Sequence, residues 1–205
     1  MWIISKDNLH KIKNLDFIFP LILGAFLSLG NPPFSFPYII LIVLVVIGYF
    51  WLKKNYSPKK SFFFGFFFGF GYFTFSLVWI IEPFLVEPNI TVILAPFVLI
   101  ILSGILSIFW GSAFFFSSYK NDFKNKNISI FKLAICFSSA EILRSYLFTG
   151  FPWVLLGLAF IDTPISQALS IFGPYWLTSV IIFLCLIIPI GKIGILLSIT
   201  GFSLL

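Results

Sequence analysis

Residues 141–157 read EILRSYLFTGFPWVLLG. Two opposite charges, Glu141 and Arg144, stand inside an otherwise apolar run, and Thr149-Gly150-Phe151-Pro152-Trp153 follows shortly after them. A charge within a membrane span costs about 2.5–3.5 kcal/mol on insertion scales, so such residues are rare and usually serve a purpose. Three apart on a helix, the two side chains share a face and can pair. Gly150 suits the left-handed position of a helix C-cap. Pro152 forbids continuation of the helix and constrains Phe151, and the ring of Trp153 suits a membrane–water interface. The remainder of the chain reads as the apparatus that carries this stretch to one side of a bilayer.

Composition supports that reading. Of 205 residues, 60% are hydrophobic, 10% are charged and 30 are Phe, against about 25% charged in an ordinary soluble domain. A chain this short leaves much of its surface exposed, so a soluble fold has nowhere to hide so much apolar area. The expected class is an all-α integral membrane protein. The net charge of +6 would ordinarily suggest an anionic partner such as nucleic acid, but the placement of the lysines accounts for it better. Cys136 and Cys185 both lie in apolar runs and read as small buried hydrophobes, not as a thiol nucleophile, which needs an electropositive, partly exposed site. Neither a disulfide framework nor a metal-ligand spacing is present, and no cofactor is implied. His10, among Lys6, Lys11 and Lys13, reads as solvated.

Apolar runs place six spans at about 17–30, 38–52, 61–81, 90–116, 128–148 and 165–188, with the start of a seventh at 193–205, all in one transmembrane domain with no soluble domain. The basic start followed by a short apolar run resembles a signal peptide, but Asn31-Pro32-Pro33-Phe34-Ser35-Phe36-Pro37 follows in place of a cleavage pattern, so the first span reads as retained. In the third span Gly65 and Gly69, with Gly71 close by, are spaced for close helix–helix packing, and Trp79 at its end suits the interface. Thr163-Pro164 reads as a helix start, with Thr as N-cap and Pro at the first helical position.

Alternating the loops puts Lys6, Lys11, Lys13, Lys53, Lys54, Lys59, Lys60, Lys120, Lys124, Lys126, Lys132 and Lys192 on one side, twelve of the thirteen Lys and Arg. That side is cytoplasmic by the positive-inside rule, and so is the N-terminus. The connections at 31–37, 82–88 and 149–164 then face outward. At 1.5 Å per residue from Ile128, Glu141 lies about 20 Å along its helix, in the outer third of the bilayer. Two readings of the pair remain open: an internal ion pair that fixes helix packing, or a polar feature near the outer leaflet that holds a lipid headgroup or orients an outer domain. Residues 154–162, VLLGLAFID, are apolar and too short to cross. They read as a re-entrant or membrane-surface segment, or as a loop packed over the bundle.

Glu141-x-x-Arg144 followed by Thr149-Gly150-Phe151-Pro152-Trp153, then Gly157 and Asp162-Thr163-Pro164, resembles the membrane domain of the apolipoprotein N-acyltransferase family. Pro32-Pro33-Phe34-Ser35-Phe36-Pro37, the Gly65/Gly69/Gly71 helix ending near Trp79, and Phe172-Gly173 agree in order, so the resemblance covers essentially the whole chain. It implies a bacterial inner-membrane enzyme that completes lipoprotein maturation. The family moves an acyl chain from a phospholipid onto a cysteine as a thioester, then to the amine of an apolipoprotein's N-terminal diacylglyceryl-cysteine. Such nucleophilic catalysis divides one hard acyl transfer into two easier ones. In the family the chemistry belongs to an outward nitrilase-type domain using Glu, Lys and Cys. No such set lies outside the spans of this sequence, and Cys136 and Cys185 do not inherit the role. The resemblance therefore carries over no catalytic residue. It carries over Glu141, Arg144, Thr149, Gly150, Phe151, Pro152 and Trp153 as scaffold or lipid-access positions. The expectation is the membrane half of such an acyltransferase, truncated or incomplete and inactive by itself.

Two other function classes compete. A small transporter would spread polar residues through several spans or repeat its halves, whereas here one charged pair occupies one span and no internal repeat is visible. A non-catalytic scaffold that binds lipid or a partner chain is compatible with a membrane half that lacks the chemistry.

Overall fold

The computed structural model describes residues 6–86, 92–121, 123–147 and 154–203, with side chains from residue 16 onward. The described residues are all-helical, as the apolar runs require. Their α-helices are α1 (Lys6–Ser28), α2 (Tyr38–Lys54), α3 (Pro58–Ser76), α4 (Ala95–Ser118), α5 (Lys126–Leu147), α6 (Ser166–Phe172), α7 (Pro174–Ile187) and α8 (Lys192–Ser203). Short 3-10 segments at Val78–Leu85, Val92–Leu94, Leu156–Phe160 and Ile188–Ile190 complete the order.

Three boundaries differ from the sequence expectation. The first helix begins at Lys6 and runs through the polar stretch before residue 17. Nothing before Pro20 in that stretch breaks a helix, and charge alone does not. The third run bends by 43° between Pro58–Ser76 and Val78–Leu85. The last α-helical bond there is Leu77 N–H to the Phe73 carbonyl, and the following 3-10 segment contains Pro83, which has no N–H to donate. The run at 165–188 is two helices, broken where Gly173 adopts φ 83° and Pro174 opens α7 at its first position. Thr163 does not cap: Ile165 occupies the N-cap of α6, and the Thr163 hydroxyl instead donates to the Phe160 carbonyl at 2.7 Å. By length and composition one helix, Val92–Ser118, is long and apolar enough to cross a bilayer, and the bent pair passes the same test when taken together.

α3 is the central helix. Toward α1 it presents Gly71, where an added Cβ would strike the Leu21 carbonyl, while Gly24 of α1 meets the Phe68 carbonyl in the same way. Toward α4 it presents Gly65, with the Phe114 ring and the Trp110 carbonyl against it, and Gly69 against Ser107. The expected close packing of Gly65 and Gly69 is thus made within the chain, against α4. α1 and α3 run parallel, since Phe17 meets Phe63 and Phe67 while Asn31 reaches Tyr72 and Ser76. α3 and α4 run antiparallel, with Ser61 bonded to Ser118 at one end and Gly69 on Ser107 further along. α5 lies antiparallel to α4, with Phe137 on Phe114 and Glu141 on Trp110.

The interior is largely apolar, but it also takes in polar side chains while large apolar ones face out. On α4, Ser103 and Ser107 are fully buried whereas Ile101 and Ile105 are 61% and 40% exposed. On α5, Ser129, Ser138, Glu141, Arg144 and Ser145 face inward, while Ile128, Phe131, Ile135 and Leu143 face out. At the end of the bundle near Lys54, Asp16 of α1 accepts from Lys54 Nζ at 2.7 Å and from the Tyr56 hydroxyl at 3.0 Å. Burial, with the Asp16 carboxylate as acceptor, pushes the Tyr56 phenol above its ordinary range.

The seams give a paired test. Gly24→Leu has no room and is expected to cost about 1–3 kcal/mol or more. Gly104→Ala, with nothing within 4 Å of the new Cβ, is expected to be neutral or stabilising by up to about 1 kcal/mol. Thermal unfolding of both variants in mild detergent measures the difference.

Candidate functional site

The site begins with a carboxylate that has to be satisfied away from water. Glu141 and Arg144 are both fully buried on α5. Arg144 Nε donates to Glu141 Oε1 at 3.1 Å and Arg144 Nη2 donates to Oε2 at 3.1 Å, a two-pronged pair. From α4, the Trp110 indole N–H donates to Oε1 at 2.7 Å. The Ser145 hydroxyl returns to the Glu141 carbonyl at 3.0 Å. The Arg144 guanidinium also lies 5.1 Å from the centre of the Phe73 ring of α3, a favourable cation–aromatic placement. Both carboxylate oxygens are therefore occupied, and α3, α4 and α5 all take part.

A second group of polar side chains adjoins the first. The Trp110 ring stacks on Tyr72 of α3, with centroids 5.0 Å apart and planes at 14°, and Phe137 meets its edge at 4.8 Å. The Tyr72 hydroxyl donates to the Val154 carbonyl at 2.8 Å and accepts from Asn31 Nδ2 at 3.0 Å. The same Asn31 amide donates to Ser76 Oγ at 3.1 Å. The polar core thus runs from α5 through Trp110 and Tyr72 to the α1–α2 turn and to the start of the 154–160 segment.

That segment lies over the bundle. Leu155, Leu156 and Phe160 are fully buried, and the Gly157 N–H donates to Thr178 Oγ1 of α7 at 3.0 Å. A Cβ at Gly157 would meet the Thr178 and Pro174 backbone, so this is a close approach that only glycine permits. Val154, which opens the segment, has φ 53°, a left-handed conformation costing a β-branched residue about 1–3 kcal/mol. The Tyr72 bond and the burial of Leu155 hold it there. Of the two readings of residues 154–162, a loop packed over the bundle is the one that matches.

Among the sequence candidates, Glu141 and Arg144 come together, and Gly65 and Gly69 pack on α4. Thr149, Gly150, Phe151, Pro152 and Trp153 lie outside the described residues. Trp110, Tyr72 and Asn31 were not singled out in the sequence. Their signal was present as amphipathic rings and an amide inside apolar runs, whose N–H and O–H groups need partners once buried. Cys136 is half-buried and Cys185 buried, and among the described residues no three His, Cys, Asp or Glu side chains converge as a metal site would require.

The fold and site define a helical-bundle domain with a buried polar network inside an apolar core, many apolar side chains on its exterior and a short segment folded over one end. Residues 23–187 match the family described as the apolipoprotein N-acyltransferase N-terminal domain, and the chain belongs to that family. Similar relatives, each named apolipoprotein N-acyltransferase, come from Coxiella burnetii, at 28% identity over 83% of this chain and 35% of the relative, and Brucella suis, at 29% over 78% and 31%. A third, from Rhodopseudomonas palustris, is 30% identical over 78% of this chain and 31% of its own length. The chain therefore spans about a third of the length of these relatives.

Removing one partner of a buried pair leaves an uncompensated charge, so Arg144→Leu is expected to lose about 3–5 kcal/mol. The double replacement Glu141→Leu with Arg144→Met is expected to cost less than the sum of its singles, as a double-mutant cycle of unfolding free energies would read. Separately, Tyr72→Phe should speed hydrogen exchange of the amides at 156–160 and leave the α4–α5 amides protected. Equal loosening of both regions would argue against the Tyr72 tether.

Proposed function

We propose that this chain is the membrane half of an apolipoprotein N-acyltransferase. It crosses the bacterial inner membrane several times with its N-terminus in the cytoplasm, and its outer end serves acyl transfer from phospholipid to the diacylglyceryl-cysteine amine of an apolipoprotein. The observation that carries the reading is the extent of isoleucine and phenylalanine on the exterior, with serines and an ion pair taken into the interior, in a chain matched to that family. In water such a surface would be an extended apolar patch; against lipid it is the expected exterior.

The alternating directions of α1 to α5 fit consecutive crossings, and the Asp16–Lys54 end carries the cytoplasmic lysines. The ion pair, the Asn31–Tyr72 tether and the 154–160 segment then share the outer half. In this role Glu141 and Arg144 are scaffold residues, because every carboxylate oxygen already has a donor within the bundle. Their task is to fix α3, α4 and α5 beneath the segment that follows Thr149–Trp153, and those five positions serve lipid access. Chemistry is assigned to the part of the relatives that this chain does not match, since the described residues bring no Cys, Glu and Lys together.

Sidedness is tested in a background lacking Cys136 and Cys185. Ser35→Cys is expected to react with a membrane-impermeant maleimide added to intact spheroplasts, and Lys124→Cys only after permeabilisation; the reverse pattern would overturn the orientation. Activity is tested with phospholipid and a fluorescent diacylated lipopeptide in membranes. Transfer is expected when the chain is joined to the outer domain of a relative and not from the chain alone. Transfer by the chain alone would sink the assignment of the chemistry elsewhere, and a folded but inactive fusion would favour a non-catalytic scaffold.

A further inference from the structure

Two concavities meet at Pro32, on the end of the bundle that carries Asn31. One is an apolar groove of about 520 Å³ between the ends of α1 and α3, walled by Ala25, Phe26, Leu29, Pro33, Phe75 and Val78. The other is a notch of about 410 Å³ between Asn31, Ser76, Trp79, Val154 and Leu158. Pro32 lines both. Each lies within the roughly 300–1,000 Å³ typical of small-molecule sites.

The two differ in chemistry. On the groove wall the Ser28 hydroxyl donates to the Ala25 carbonyl at 2.7 Å, so it offers no proton to a ligand and the groove is effectively hydrocarbon. In the notch Ser76 Oγ accepts from Asn31 and donates to no described group, which leaves it a proton for an acceptor. Among the described residues, none lining either concavity is charged. No described lining residue would compensate a phosphate or ammonium group, which disfavours such a head there. The groove is also open to the apolar exterior, where Phe26, Phe34 and Phe75 are exposed.

We propose that the groove and notch together form one site for an amphiphile with a single long acyl chain and an uncharged, hydrogen-bonding head, of which a glycerol ester is the model. The chain lies along α1 and α3, and an ester carbonyl or hydroxyl of the head takes the Ser76 proton beside Trp79. The assignment rests on the membrane reading above, because an acyl chain reaches the groove sideways from lipid.

The test uses the full chain in mild detergent with a photoreactive monoacylglycerol carrying a diazirine in its acyl chain. Labelled positions are read by mass spectrometry. The exposed α4 face around Ile101 and Ile105 reports ordinary lipid contact. Labelling is expected to concentrate at 25–34 and 75–79, and to be displaced by unlabelled monoacylglycerol at about one-tenth the concentration needed for a lysophosphatidylglycerol of equal chain length. Ala25→Trp, which fills the groove, and Val78→Trp, which narrows it from the opposite wall at an exposed position, should each remove the 25–34 labelling and leave the α4 labelling unchanged. Labelling no denser in the groove than on α4, or unaltered in whichever Trp variant keeps the parent's melting transition, would overturn the site. Equal displacement by the anionic lipid would overturn the uncharged head. Absence of label from α4 as well would overturn the membrane reading, and the site with it.

Discussion

The carboxylate of Glu141 sets the terms for the bundle. An ionised group in an apolar interior is tolerated only when charge and hydrogen-bonding capacity are both met. Arg144 meets the charge from one turn along the same helix, and the indole of Trp110 reaches across from α4. That reach fixes how near α4 must come to α5. Trp110 is held in place by rings on its other sides, Phe68 and Tyr72 from α3 and Phe137 from α5. Gly65 and Gly69 in turn let α3 come close enough to supply those rings. Through Tyr72 the constraint passes to Asn31 and to the backbone of Val154. The buried pair thus links α3, α4 and α5 to the α1–α2 turn and to the segment that covers them.

Serine does related work elsewhere in the interior. Ser61 and Ser118 bond to one another between α3 and α4, and Ser198 of α8 reaches the Leu184 carbonyl of α7 at 2.6 Å. Small side chains allow helices to approach, and their hydroxyls find backbone or one another without needing water. Isoleucine and phenylalanine occur on the exterior as well as in the interior.

Much of this could be read from the residues. The all-helical class, the positions of the long apolar runs, the pairing of Glu141 with Arg144 and the tight glycine face of α3 follow from spacing and composition. The bend after Ser76 and the break at Gly173 did not, because hydropathy is continuous across both while the backbone is not. The helix extends back to Lys6, beyond the apolar run that begins at residue 17, since polarity marks the end of an apolar run and not the end of a helix. Trp110 and Tyr72 were hidden because an aromatic ring in an aromatic-rich chain carries no sign of which ring has found a polar partner. Contacts such as Asn31 to Ser76 join residues 45 apart, and no local pattern encodes them.

The i, i+3 placement of the charged pair also bears on how the bundle is assembled. Contacts between α1 and α3 are complete once Ser76 has been made, those between α3 and α4 once Ser118 has, and the Trp110 bond to Glu141 comes later still. Glu141 does not have to meet the apolar interior as a bare anion while it waits, because one turn of its own helix delivers Arg144 beside it. The pair can be neutralised locally before it is enclosed, and Trp110 then receives a partner already compensated. Moving the arginine to another helix could keep the final ion pair, but it would make burial of the Glu141 carboxylate depend on a neighbour already being in place.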